Sequence, residues 1–240
     1  MADTLGSKRQ NLHEATRGHD ISAVEKLLDE NANLQPPDSD FSHAINIAAE
    51  EGYTDILLTL LEKITNKETQ DRVARKSSRI CARFGKTDAL RGLLAWGADF
   101  EAPDQQEQTL LHICAIYGNK QTALVLLEWG ADISAPDKSG QGPLHHCAWF
   151  GRAETALALI ELGADVSAVT NASSTPLHFA AISGCCEIAS ALIEKGADID
   201  AQNSFGRTPA HLAFLQNKRD VALVLVEAGA RLDIVDSVTV

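Results

Sequence analysis

Four copies of one tetrapeptide stand 33 residues apart: Thr109-Leu110-Leu111-His112, Gly142-Pro143-Leu144-His145, Thr175-Pro176-Leu177-His178 and Thr208-Pro209-Ala210-His211. A second marker keeps the same period, Gly-Ala-Asp at Gly97, Gly130, Gly163 and Gly196, with Gly229-Ala230-Arg231 as a worn copy. A third consists of Gly85, Gly118, Gly151 and Gly184, each between two apolar runs. Three series in one register restrict the chain to a stacked array of equal units, none of which buries its apolar face alone.

Local chemistry assigns a role to each series. Thr caps free amides at a helix start, and Pro fits the first helical position, where its missing N–H costs nothing. Small pairs such as Ala180-Ala181 let two helices approach closely. A second apolar run follows the central Gly, for example Leu124-Val125-Leu126-Leu127, and Gly-Ala-Asp closes that helix through a left-handed cap. The stretch after it, Asp137-Lys138-Ser139-Gly140 in one unit, is turn chemistry for a hairpin finger.

On these motifs the chain resembles the ankyrin-repeat family, over essentially its whole length. Weaker copies lie at Leu12-His13-Glu14-Ala15 and Ala44 to Ala49, and a third unit keeps Ile80-Cys81-Ala82 with Arg79 in place of His. The expected layout is a lead over 1–9, seven units over 10–230 starting near 10, 43, 76, 109, 142, 175 and 208, and a tail over 231–240. The expected fold is an all-α solenoid of helix-turn-helix units with short β-hairpin fingers. In that family the repeated His ties the inner-helix start to adjacent loops, and protein ligands bind through finger tips and the inner helices of a concave face.

The remaining chemistry is sparse. No Gly-rich phosphate loop, nucleophile elbow or spaced carboxylate pair is present, so the expectation is a non-catalytic protein without cofactor or metal. Cys81, Cys114 and Cys147 are themselves 33 apart, in the slot that holds Ala48, Ala180 and Ala213 elsewhere, which makes them packing residues. Cys185-Cys186 opens an outer helix, where a thiol pKa could fall, but it lacks a His/Asp partner in the sequence. His145-His146-Cys147 is the one dense cluster, and neighbouring helical positions diverge instead of converging on an ion.

Thirty-three acids against 21 bases give a net charge of −12. The span 10–42 carries −5, 43–75 carries −2 and 76–108 is neutral, so acidity is concentrated at the front. That field disfavours nucleic acid and favours a protein partner, a basic one in particular. No apolar run approaches membrane-spanning length, and the start Met1-Ala2-Asp3 is no secretory signal. A cytoplasmic or nuclear protein is expected. Against the trend, Arg72, Arg75, Lys76, Arg79, Arg83 and Lys86 follow one another at helical spacing with no acid between them. The stripe reads either as a dock for an acidic or phosphorylated segment or as internal pairing with front-end acids such as Glu50 and Glu51. The segment 66–75 lacks the finger signature, so helix is expected to replace that finger.

The two residues before each central Gly belong to the family's binding face. They include Arg83-Phe84, Ile116-Tyr117 and Trp149-Phe150, an aromatic ladder with Phe84, Tyr117 and Phe150 in step. Trp96 and Trp129 form a second column, and the fingers add Lys138 and Phe205. These ten residues are the candidate partner contacts; packing on the neighbouring unit is the competing reading. The alternative function is a regulatory, targeting or assembly-chaperone subunit that delivers a partner to an enzyme or proteolytic complex. The last outer run, Val221 to Val226, is apolar for an end unit. It calls for a cover: the tail (Ile234, Val235, Val238, Val240), self-association of an otherwise monomeric chain, or the next repeat of a longer array from which this chain is cut.

Overall fold

The computed structural model describes residues 12–30 and 39–234. The lead over 1–9, the start of the first unit and the tail residues Val235, Val238 and Val240 lie outside the described residues. Among the described residues fourteen helices occur in chain order: α1 (12–17), α2 (Ile21–Glu30), α3 (Ser39–Glu51), α4 (Thr54–Glu62), α5 (Lys67–Phe84), α6 (Thr87–Trp96), α7 (Leu110–Tyr117), α8 (Lys120–Glu128), α9 (Pro143–Phe150), α10 (Ala153–Glu161), α11 (Pro176–Ser183), α12 (Cys186–Glu194), α13 (Pro209–Leu215) and α14 (Arg219–Glu227). There is no strand among the described residues.

The described residues fall into two compact lobes that divide between Ala102 and Pro103. In the C-terminal lobe the inner helices stack in sequence, α7 on α9, α9 on α11 and α11 on α13, while α8, α10, α12 and α14 form a second row behind them. In the N-terminal lobe α3 packs on α5, and α4 on both α2 and α6. A continuous seam of Leu, Ile and Ala between the two rows is buried, Leu126, Leu159 and Leu192 among its members.

Backbone conformation reproduces the sequence period more completely than the residues do. Every left-handed residue falls in one of three columns of period 33. The inner-helix ends hold His19, Gly52, Gly85, Gly118, Gly151, Gly184 and Asn217; the outer-helix ends hold Gly97, Gly130, Gly163, Gly196 and Gly229; the fingers hold Glu107, Gly140, Ser173 and Gly206. The helix-end glycines close their helices as expected, for example Gly118 N–H to Cys114 O and Gly97 N–H to Leu94 O. His19 and Asn217 do the same work without being glycine.

The fingers are turns, and the expected strand pairing within them is absent among the described residues. In each, one side-chain oxygen accepts two amides: Asp104 from Gln106 and Gln108, Asp137 from Ser139 and Gln141, Thr170 from Ala172 and Ser174, Asn203 from Phe205 and Arg207. A five-residue turn saturated by its own side chain leaves no room for a ladder. Successive fingers are joined instead, by Lys138 N–H to Gln106 O, Asn171 N–H to Ser139 O and Ser204 N–H to Ala172 O, each 3.0 Å. Gly140 is needed twice over, for its φ of 74° and because a Cβ there would lie 2.7 Å from the Asn171 side chain and 2.9 Å from its backbone nitrogen.

Where the finger signature is missing, α5 runs for 18 residues from an Asn66 cap whose side chain accepts from Thr69 N–H at 2.8 Å. Helix thus replaces the finger, as the sequence implies. The basic stripe lies along this helix and its end. Arg75 Nε donates to Asp71 O, Arg79 Nη1 reaches Ala102 O at 3.4 Å, and the Lys86 stem covers Gly52.

The repeated histidines are structural. His112 Nδ1 accepts from the Thr109 amide at 3.1 Å, and Nε2–H donates to Gln141 O at 3.0 Å. His145 bridges Gly142 N–H and Ala168 O, and His178 bridges Thr175 N–H and Arg207 O. These partners require the neutral ring, and burial holds all three pKa values down, that of His145 to about 4. Cys81, Cys114 and Cys147 are buried packing residues whose thiols burial pushes up, Cys81 to about 12. Burial also raises Cys186, so the start of α12 does not activate it.

Candidate interaction surface

In the C-terminal lobe a groove of about 540 Å³ opens between the fingers and the inner helices. Its helix wall is Trp149 on α9, Phe179 and Ile182 on α11, and Leu212 on α13; its finger wall includes Lys138, Asn171, Asn203, Phe205 and Arg207. Trp149 and Phe179 touch, with ring centroids 5.3 Å apart at 58°, and Phe179 meets the His145 ring edge-on at 5.6 Å. The floor is therefore fixed while the upper rings are open: Trp149 is 46% exposed and Phe205 55%.

Of the ten residues singled out by sequence, Lys138, Trp149 and Phe205 line this groove together. Tyr117 and Phe150 are exposed on the adjacent packed helices α7 and α9, outside the groove lining, and Ile116 is half-buried, its carbonyl accepting from Arg152 Nε at 2.9 Å. Trp129 is exposed behind them at the end of α8. Arg83, Phe84 and Trp96 belong to the N-terminal lobe. There the Arg83 guanidinium lies 5.5 Å from the Phe84 ring centre, and Lys67 Nζ sits 5.1 Å over the half-buried Trp96 ring. Phe179, Leu212, Asn203 and Arg207 are groove residues the sequence reading passed over. Phe179 stands three residues before Ile182 on one helix face, a spacing that could have found it.

The dense His145-His146-Cys147 cluster diverges as expected. His146 Nε2 donates to the buried Asp137 carboxylate at 3.0 Å, binding the α9 start to its finger. Burial lowers His146 more than Asp137 raises it, while backbone amides of Gln141 and Ser139, with His146, outweigh burial in holding Asp137 down. The pair is a neutral imidazole donating to a carboxylate. No group of three His, Cys, Asp or Glu side chains placed to hold a metal occurs among the described residues, and no helix among them is long and apolar enough to cross a membrane.

A family model described as "Ankyrin repeats (3 copies)" matches residues 79–170 and 169–236, more than half of the chain. The protein belongs to the ankyrin-repeat family, whose members are generally protein–protein interaction modules and typically non-catalytic. A search of curated proteins returns no match.

Proposed function

We propose that this protein is a non-catalytic binding module whose C-terminal lobe takes a linear segment of a partner protein into the groove between fingers and inner helices. The observation that carries this reading is the pairing of two large, half-exposed aromatic rings, Trp149 and Phe205, across one groove with a fixed apolar floor. Large rings left in solvent beside oriented polar groups are the usual anchors of an interface. The net charge of −12 draws basic proteins at long range. The groove itself presents Lys138, so the entering segment is apolar with a carbonyl or carboxylate for that cation. Five free thiols, three of them buried in packing slots, suit a reducing compartment such as cytoplasm or nucleus.

The test is capture of the partner from lysate by the intact chain, followed by titration of the purified pair. Trp149→Ala with Phe205→Ala should weaken binding by at least about tenfold, the size of an ordinary hot-spot loss, with helical content retained. Unchanged binding in a folded double variant would move the site elsewhere, with Tyr117→Ala and Phe84→Ala as the next variants to separate α7 from the N-terminal lobe.

A further inference from the structure

The position that allows inner helices to stack changes character in α13. Ala49, Ala82, Ala115, Ala148 and Ala181 occupy it in successive repeats, all fully buried, but the seventh repeat has Phe214, 57% exposed. A benzyl group stands where close helix stacking leaves room for a methyl, so this face is not shaped to receive another repeat in the same geometry. It is nevertheless apolar. Phe214 and Ala213 of α13 with Ala222, Leu223 and Val226 of α14, together with Asn217, Lys218 and Arg219, line an open groove of about 250 Å³.

The charges on α14 indicate what fits. Arg219, Leu223, Val226 and Glu227 are all exposed and fall at i, i+4, i+7 and i+8, one face of the helix. Arg219 and Glu227 lie four residues either side of Leu223, roughly 6 Å along the axis in each direction. Two such helices laid antiparallel and crossing at Leu223 set each Arg219 opposite the other copy's Glu227, with Leu223 meeting Leu223 between them. A patch that pairs with itself under a twofold axis is the requirement of an isologous contact. We propose that the α13–α14 face is a homodimer interface whose occupant is a second copy of this chain, held by apolar contact at Phe214, Leu223 and Val226 and set in register by the two Arg219–Glu227 pairs.

The experiment is sedimentation velocity on the full chain over a concentration series, with circular dichroism to verify folding. The wild type should show a concentration-dependent dimer. Arg219→Glu and Glu227→Arg should each weaken it at least tenfold, because each places like charges opposite one another twice, and the double variant R219E/E227R should return to within a few-fold of wild type. Leu223→Glu should abolish the dimer without lowering helical content. A monomer at every concentration, or a dimer indifferent to the single charge reversals, overturns the proposal. So does a monomer whose α14 face accepts a surface label only after removal of residues 235–240, which would assign the face to the chain's own terminal segment.

Discussion

At the scale of single residues, the repeated histidine sets a pH window. Each ring accepts at Nδ1 from the amide that starts its helix, and His112, His145 and His178 donate at Nε2 to a carbonyl of the following loop. Protonation removes the acceptor and charges a buried ring. Their folded pKa values lie below the ordinary imidazole value of about 6.5, so the stability they contribute is complete above that value. It is lost as pH falls through 6.5 toward the folded values, near 4 for His145. For His145 the loss is on the order of 3 kcal/mol once both states are protonated. Thermal melts should be flat from about pH 8 to 7 and fall steadily between about pH 6.5 and 4. NMR titration of the His145 ring should show a midpoint well below 6.5, and an ordinary midpoint would remove the effect. The His–His–Cys cluster illustrates how far sequence reaches here: helical geometry was enough to foresee that its side chains diverge, but the Asp137 bond of His146 depends on a finger the sequence only outlined.

At the scale of elements, helices and caps were legible because each is specified by residues adjacent in sequence: Thr-Pro at the start, Gly at the end. The replacement of one finger by α5 was legible from the missing Asp-x-x-Gly. The left-handed positions at Glu107 and Ser173 were not, because those side chains carry no mark of the conformation that stacking imposes on them, whereas His19 and Asn217 are of types that tolerate it. Glu107 exposes a finger to an avoidable cost. A residue with a Cβ in the left-handed region is about 1 kcal/mol or more worse than glycine there, partly offset by the extra freedom glycine gives the unfolded chain. Glu107→Gly should therefore raise stability by roughly 0.5–1 kcal/mol, measured by denaturant unfolding, while Gly140→Ala in the next finger should lower it by more. A destabilised Glu107→Gly would mean the Glu side chain holds a contact worth more than the strain.

For the whole molecule, the repeats are not equally fastened. The C-terminal lobe has three histidine bridges and three finger-to-finger amide bonds. In the N-terminal lobe the corresponding tetrapeptide position is Asn46 in one repeat and Arg79 in the next, where a 3.4 Å bond to Ala102 O stands in. Acids also concentrate in the first two repeats. In a stack governed by neighbour contacts the weaker end opens first. Hydrogen exchange should be faster over 12–75 than over 109–207, with added salt narrowing the difference by screening the front-end repulsion. Equal protection throughout would show that ties such as Lys63 to Asp29 and His19 to Asp55 compensate fully. The site was less legible than the fold for a related reason. Sequence period aligned Phe150 with Phe84 and Tyr117 and set Trp149 beside them in the column of Arg83, Ile116 and Ile182, whereas the groove groups Trp149 with Phe205 and Phe179, which share no column with it. The three finger-to-finger amide bonds, finally, run between main-chain groups, from Lys138, Asn171 and Ser204 to Gln106, Ser139 and Ala172, while Asn171 Nδ2 adds a side-chain bond to Lys138 O. The amide bonds themselves do not depend on the side chains at Gln106 and Lys138, so those tips are free to acquire a new binding preference by substitution, whereas Gly140 and Asn171 belong to the fastening and are not.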